Sequence, residues 1–110
     1  MSGITGIYYL DGRDADRNLL QRMTSTIAHR GLDDEGLYFS DNLGLGHRRL
    51  AIVDLSEAGH QPMVSEDGFL AIVNDGRIYN ATEIRQELER KGHLFRSGTD
   101  TEVILHSYRE

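Results

Sequence analysis

Leu37-Tyr38-Phe39-Ser40-Asp41-Asn42-Leu43-Gly44-Leu45-Gly46-His47-Arg48-Arg49-Leu50-Ala51-Ile52-Val53 is the stretch on which the fold turns. It reads as two strands joined near Asp41-Asn42, residues whose short polar side chains suit a tight turn. Its Ile52-Val53 end reads as buried. Upstream, residues 3–9 mix Ile, Thr and Tyr with Gly and read as a short buried strand. Asp11-Gly12 marks a turn. A helix then follows, capped by Asp14 or Asp16, in which Leu19, Met23 and Ile27 recur every fourth residue with Leu20 beside them. Gly31 is placed to end it.

Downstream, residues 54–63 read as a polar loop and Glu66-Asp67-Gly68 as a hairpin turn. Phe69 to Val73 is a second apolar run of strand length. Asn80-Ala81-Thr82-Glu83 resembles a capping box, opening a helix with Ile84 and Leu88 on one face and Gly92 after its end. Thr99-Asp100-Thr101-Glu102 starts a final helix through Val103, Ile104 and Tyr108. Strand, helix, several strands, helix, helix is the order of an α+β layered domain rather than of alternating βαβ units.

Composition narrows the function classes. A chain of 110 residues is at most one domain; folded alone it would hide roughly 60–70% of its unfolded surface. Hydrophobic residues make 38% and charged residues 27%, which is ordinary for a globular protein. The net charge of −6, with acids and bases interspersed, argues against nucleic acid or an anionic membrane as partner, since both demand a basic face. No apolar run approaches membrane-spanning length. The first residues lack the basic start and apolar stretch of a signal peptide, so the expected compartment is the cytoplasm. There is no Cys, hence no disulfide and no thiolate. The five His residues lack close ligand spacing, and no metal site is expected.

Four strings carry a more specific signal: Met1-Ser2-Gly3-Ile4-Thr5-Gly6-Ile7, His29-Arg30-Gly31-Leu32-Asp33-Asp34-Glu35-Gly36, Gly46-His47-Arg48-Arg49-Leu50-Ala51-Ile52-Val53-Asp54 and Gly59-His60-Gln61-Pro62-Met63. Together they resemble the N-terminal glutaminase domain of the asparagine synthetase family, a class II glutamine amidotransferase of the N-terminal-nucleophile hydrolase type. The resemblance covers essentially all 110 residues, but only the front portion of that domain. It implies the front of an αββα sandwich, a partial glutamine amidotransferase domain at 1–110 with no synthetase domain. Such a piece leaves strand edges unpaired and is expected to fold marginally or to form homo-oligomers.

The resemblance assigns roles residue by residue. Ser2 stands at the nucleophile position, which holds Cys in the family. An N-terminal nucleophile uses its own α-amino group as base, and that group titrates at about 7.7–8.0. A Ser hydroxyl is a far weaker nucleophile than a thiol. Read without the surrounding strings, Ser2 is an ordinary residue after a start codon. Arg49, with Ile52 and Val53 of the same run, matches the substrate-binding segment in which an Arg holds the substrate α-carboxylate; a guanidinium fork makes two parallel charge-assisted bonds there. The bland alternative is a strand-face Arg paired with a surface acid.

The family places Asn-Gly-Glu before Ile-Tyr-Asn; this chain has Asp75-Gly76-Arg77 before Ile78-Tyr79-Asn80. Asp75 and Gly76 thus fall at the oxyanion-hole positions, and an ionised Asp75 donates no hydrogen bond there. Arg77 reverses the charge of a Glu that lies by the substrate ammonium. Asn74 would reach the oxyanion position only through a one-residue bulge. Asp100 matches an acid that also meets the ammonium, yet an Asp at a helix start caps N–H groups without any substrate. Asp33 and Asp34 read as a solvated turn, and Leu32 replaces a Pro usual in the family.

The expected function is glutamine hydrolysis supplying ammonia for asparagine-type amide synthesis, impaired here by Ser2, Asp75 and Arg77. ATP and Mg²⁺ would belong to a synthetase domain in cis, and no cofactor is expected in the chain itself. The alternative is a non-catalytic scaffold domain of an amide-forming relative such as a β-lactam synthetase or lasso-peptide cyclase. In either case the small side chain of Ser2 should let Met1 be removed in a cytoplasmic host. Intact-mass measurement checks this, and retention of Met1 in most molecules would deny Ser2 the free amine.

Overall fold

The computed structural model describes residues 2–50 and 57–110, and the hairpin expected from the sequence is its organising element. Strands Asp34–Ser40 and Leu43–Arg49 pair antiparallel with Asp41 and Asn42 at the turn. Asp41 adopts a φ of 50°, the left-handed conformation that Asp and Asn tolerate better than most residues. The strand Gly3–Tyr8 pairs antiparallel with Leu43–Arg49 on its other side. With β1 as Gly3–Tyr8, β2 as Asp34–Ser40 and β3 as Leu43–Arg49, the sheet order is β1-β3-β2. Ile52 and Val53, which the sequence puts in the second strand, lie outside the described residues.

Helix α1, Arg17–Thr26, covers one face of this sheet. Of the two candidate caps it is Asp16 that acts, its Oδ1 accepting from the Leu19 N–H at 3.0 Å. The reason the helix can lie close is in β3. A Cβ on Gly46 would come within 2.3 Å of the hydroxyl oxygens of both Thr5 and Thr24. Those hydroxyls meet each other at 2.8 Å, directly over Gly46. Thr24 gives its one proton to the Leu20 carbonyl at 2.8 Å, so Thr5 is the donor to Thr24. Leu20 and Thr24, both fully buried, are the helix's inward residues.

The helix ends earlier than its apolar spacing implies. Ile27 is its C-cap, not its last turn, and a short 3₁₀ turn, Ala28–Arg30, follows. Gly31 closes that turn, not the α-helix, with extended backbone at φ −152°. Its lack of a side chain serves close approach instead: a Cβ there would lie 2.5 Å from the Arg48 carbonyl carbon.

The second half begins with a 3₁₀ turn, Glu57–Gly59, and a small antiparallel hairpin of β4, Met63–Val64, and β5, Ala71–Ile72. The turn falls where Glu66-Asp67-Gly68 predicts it. Gly68 takes φ +80°, and the Asp67 carboxylate accepts from the Ser65 hydroxyl and the Phe69 N–H. The strand is shorter than Phe69–Val73: Phe69 is 86% exposed and belongs to the turn. Helix α2, Ala81–Arg90, starts after Asn80, but the Asn80 side chain makes no capping bond, so the capping box does not form. Gly92 follows the helix at φ +97°, as the sequence implies.

Helix α3, Asp100–Arg109, is capped by the Thr99 hydroxyl, and its buried face is Thr101, Glu102, Val103 and Leu105. Tyr108, in the second half of the helix, is 78% exposed, since the buried residues fall in its first half. Three α-helices and two antiparallel sheets among the described residues are compatible with the α+β class. A methyl at residue 46 must break the Thr5–Thr24 bond or lift α1. Gly46→Ala is therefore expected to destabilise the fold by about 1–3 kcal/mol. An unchanged midpoint in thermal denaturation followed by circular dichroism would contradict this packing.

Candidate functional site

Three segments meet at Ser2, two directly and one through Arg30. Ser2 precedes β1, and its Oγ accepts from the Leu50 N–H just past β3 at 3.1 Å. Its carbonyl accepts from Arg30 Nε, at the end of the 3₁₀ turn, at 3.0 Å. The same guanidinium reaches on through Nη2 to Asp75 Oδ2 at 3.2 Å. Arg30 thus ties the first described residue to the segment after β5. It sits in the quoted His29-Arg30-Gly31 string, yet sequence reading gives it no role, because nothing local to residue 30 shows that residue 75 lies beside it.

Arg49, the last residue of β3, is only 8% exposed. Its guanidinium lies against the backbone of Gly59. A Cβ on Gly59 would come within 2.4 Å of Arg49 Nη2 and 3.2 Å of Thr99 Cγ2. Gly59 is therefore a spacer without which Arg49 could not lie between it and the start of α3. Arg48, its neighbour on the opposite face, bonds Glu35 at 2.6 Å and the Gly31 carbonyl at 2.9 Å, a structural task.

The segment after β5 is held at Asn74. Its carbonyl accepts from His47 Nε2 at 3.1 Å and its N–H donates to Gln61 Oε1 at 2.7 Å. Its side-chain amide donates to the Gly76 carbonyl and to Thr101 Oγ1, both at 3.3 Å. Gln61 Nε2 also donates to Thr101 Oγ1, at 3.0 Å. Asn74 therefore spends its amide on the loop and α3. Asp75 is the side chain turned toward Ser2, through Arg30.

Asp100, first residue of α3, accepts from the Ile78 N–H at 2.7 Å through Oδ2. Arg77 Nε stands 3.9 Å from that same oxygen. The Arg77 side chain is 69% exposed and that of Asp100 only 17%, so Arg77 lies over the acid from the solvent side. The structure thus brings together Ser2, Arg49, Asp75, Gly76, Arg77 and Asp100 through Arg30, Gly59, Asn74 and the α3 start. Ile52 and Val53 lie outside the described residues. No cluster of three or more His, Asp or Glu suited to a metal occurs among the described residues, and no described helix is long and apolar enough to cross a membrane.

Two buried titratable groups support this frame. His47 is 1% exposed; burial holds its pKa below the ordinary 6.5, opposed by the Asn74 carbonyl. A carbonyl only accepts, so the neutral ring carries its proton on Nε2. Nδ1 is buried without a hydrogen-bond partner among the described residues. Glu102 is 2% exposed. Burial opposes its ionisation but is outweighed by the N–H groups of Arg96 and Ser97, the Ser97 hydroxyl and His106, which together hold its pKa below 4.5. The carboxylate stays charged and pins residues 96–97 to α3.

Comparison with known proteins gives the family of the chain. The pattern of a glutamine amidotransferase domain matches residues 1–110. The chain is 41% identical to asparagine synthetase [glutamine-hydrolyzing] 1 of Bacillus subtilis over 99% of its own length and 18% of that protein. It is 40% identical to a putative asparagine synthetase [glutamine-hydrolyzing] 2 of Methanocaldococcus jannaschii, over all of its length and 24% of the relative's. It is also 40% identical to asparagine synthetase [glutamine-hydrolyzing] 3 of Arabidopsis thaliana, over all of its length and 19% of that protein. The chain therefore spans about a fifth of the length of these relatives.

The buried His47 sets a pH dependence. Its folded-state pKa lies below the unfolded one, so the unfolded chain binds the proton first. Its contribution to stability is whole above pH 6.5 and is lost as pH falls below that value. Urea denaturation at pH 7.5 and 5.5 should show lower stability at the acid value. His47→Gln should flatten that interval, and an unaltered slope would reassign it to other groups.

Proposed function

The chain belongs to the glutamine amidotransferase domain family, and from that premise we propose that it is the front of an N-terminal-nucleophile glutaminase sandwich with a disabled hydrolytic site. In intact form such a domain hydrolyses the side-chain amide of glutamine and passes ammonia to a synthetase domain in cis, in the cytoplasm. With Met1 removed, the Ser2 amine would take the hydroxyl proton as Oγ attacks the amide carbonyl. The carbonyl oxygen becomes an oxyanion, ammonia leaves with a proton, and water then hydrolyses the ester on Ser2.

The observation that carries the reading is the Arg30 bridge from the Ser2 carbonyl to Asp75. It supports Asp75 as the residue standing where the oxyanion forms. A carboxylate there offers no donor and adds negative charge where negative charge develops. Losing one oxyanion donor typically costs about 10²–10³ in rate. The weak Ser2 hydroxyl lowers the rate further. The paired charges also support a second reading, a scaffold domain of an amide-forming cyclase, in which the site has settled into internal ion pairs with no substrate to serve.

Ammonia release from glutamine separates an impaired site from a working one. The unmodified protein should release none above background. Ser2→Cys should remain weak. Adding Asp75→Asn and Arg77→Glu to Ser2→Cys should raise the rate by about 10²-fold or more over Ser2→Cys alone. Measurable turnover in the unmodified protein would overturn the disabled-site reading.

A further inference from the structure

The charged pairs after β5 and at the start of α3 also define what the site would accept. Its two acids each face a guanidinium. Asp75 is paired with Arg30 at 3.2 Å. Asp100 receives the Ile78 N–H at 2.7 Å and has Arg77 Nε at 3.9 Å from the same oxygen. An incoming ammonium group therefore meets acids that are already opposed by cations, and the more accessible of those cations, Arg77, stands on the solvent side. To reach Asp100, an amine must first displace Arg77, then remain beside it. An anionic group meets the reverse situation: Arg77 can turn to it while Asp100 keeps its backbone donor.

Building on the amidotransferase reading, we propose that Arg77 is a specificity-determining residue that closes the site to α-ammonium groups and turns its preference to carboxamides bearing a carboxylate but no ammonium. The chemical class is the monoamide of a short dicarboxylic acid, with glutaramate as the probe because it is glutamine without the ammonium. Like-charge contact rejects a ligand and opposite charge retains it, so one side chain can invert the order of two ligands that share every other atom.

The test is binding, read by protein chemical-shift perturbation with glutaramate and glutamine on the unmodified protein, Arg77→Glu and Arg77→Met. Because Arg77 is mostly exposed, all three should fold, and their spectra report it directly. Glutaramate should bind the unmodified protein about tenfold more tightly than glutamine. Arg77→Glu should invert the order, and Arg77→Met should bring the two ligands close to parity. Tighter binding of glutamine by the unmodified protein, or an order unchanged in Arg77→Glu, would overturn the proposal while leaving the amidotransferase reading intact. Glutamine binding confined to Arg77→Glu, with no glutaramate bound to the unmodified protein, would overturn it as well. If neither ligand shifts any variant, the amide-binding reading fails together with the inference.

Discussion

Asn74 is fixed from three sides, and the candidate site depends on that grip. Its carbonyl meets His47 of the first sheet, its N–H meets Gln61, and its amide meets Thr101 at the start of α3. The residues that follow it, Asp75, Gly76 and Arg77, therefore leave from a defined point between the sheet and the helix. Asp75 turns to Arg30 and Ser2, and Arg77 turns to Asp100. Each contact is a hydrogen bond of ordinary strength, about 0.5–1.5 kcal/mol net. They act together because His47, Gln61 and Thr101 are all buried, so releasing one leaves a buried polar group without its partner.

The ion pairs at the rim have a different character. The Arg30 side chain is 40% exposed and that of Arg77 69%, so solvent screens both pairs, and each stabilises the fold by at most about 1 kcal/mol. In the proposed site the weight of Arg77 falls on ligand choice rather than on folding. A rim cation that adds little to stability still decides which charge a small molecule can bring into the site. Arg49 behaves otherwise. It is buried against Gly59 and set between β3 and α3, so its position is a property of the fold.

The acid and histidine chemistry follows the same division. Glu102 stays charged because four donors converge on it, and it holds residues 96–97 against α3. His47 stays neutral because burial penalises its charged form, and its neutral ring carries the single N–H that Asn74 requires. One buried group is held ionised and the other neutral, and in each case the fold uses the form that its hydrogen bonds demand.

Local pattern was enough for elements whose signals are local. The hairpin turn at Asp41-Asn42, the Thr99 cap, the turn at Gly68 and the stop at Gly92 depend on residues within a few positions of each other, and all stand where the sequence implies, while of the two caps open for α1 the structure uses Asp16. Ser2, Arg49, Asp75, Arg77 and Asp100 were named by the resemblance to the family, residue by residue, and not by any local preference of the chain. Errors came where distant packing overrides local preference. Ile27 fits the helical period but sits at the turn toward Gly31, whose backbone must touch β3. Phe69 has strand propensity but lies in a two-residue-strand hairpin that leaves it exposed. The roles of Arg30, Gln61 and Gly59 were likewise decided by tertiary structure. Each acts on residues 10 to 45 positions away, and a contact between distant segments exists only once the chain has folded to bring them together.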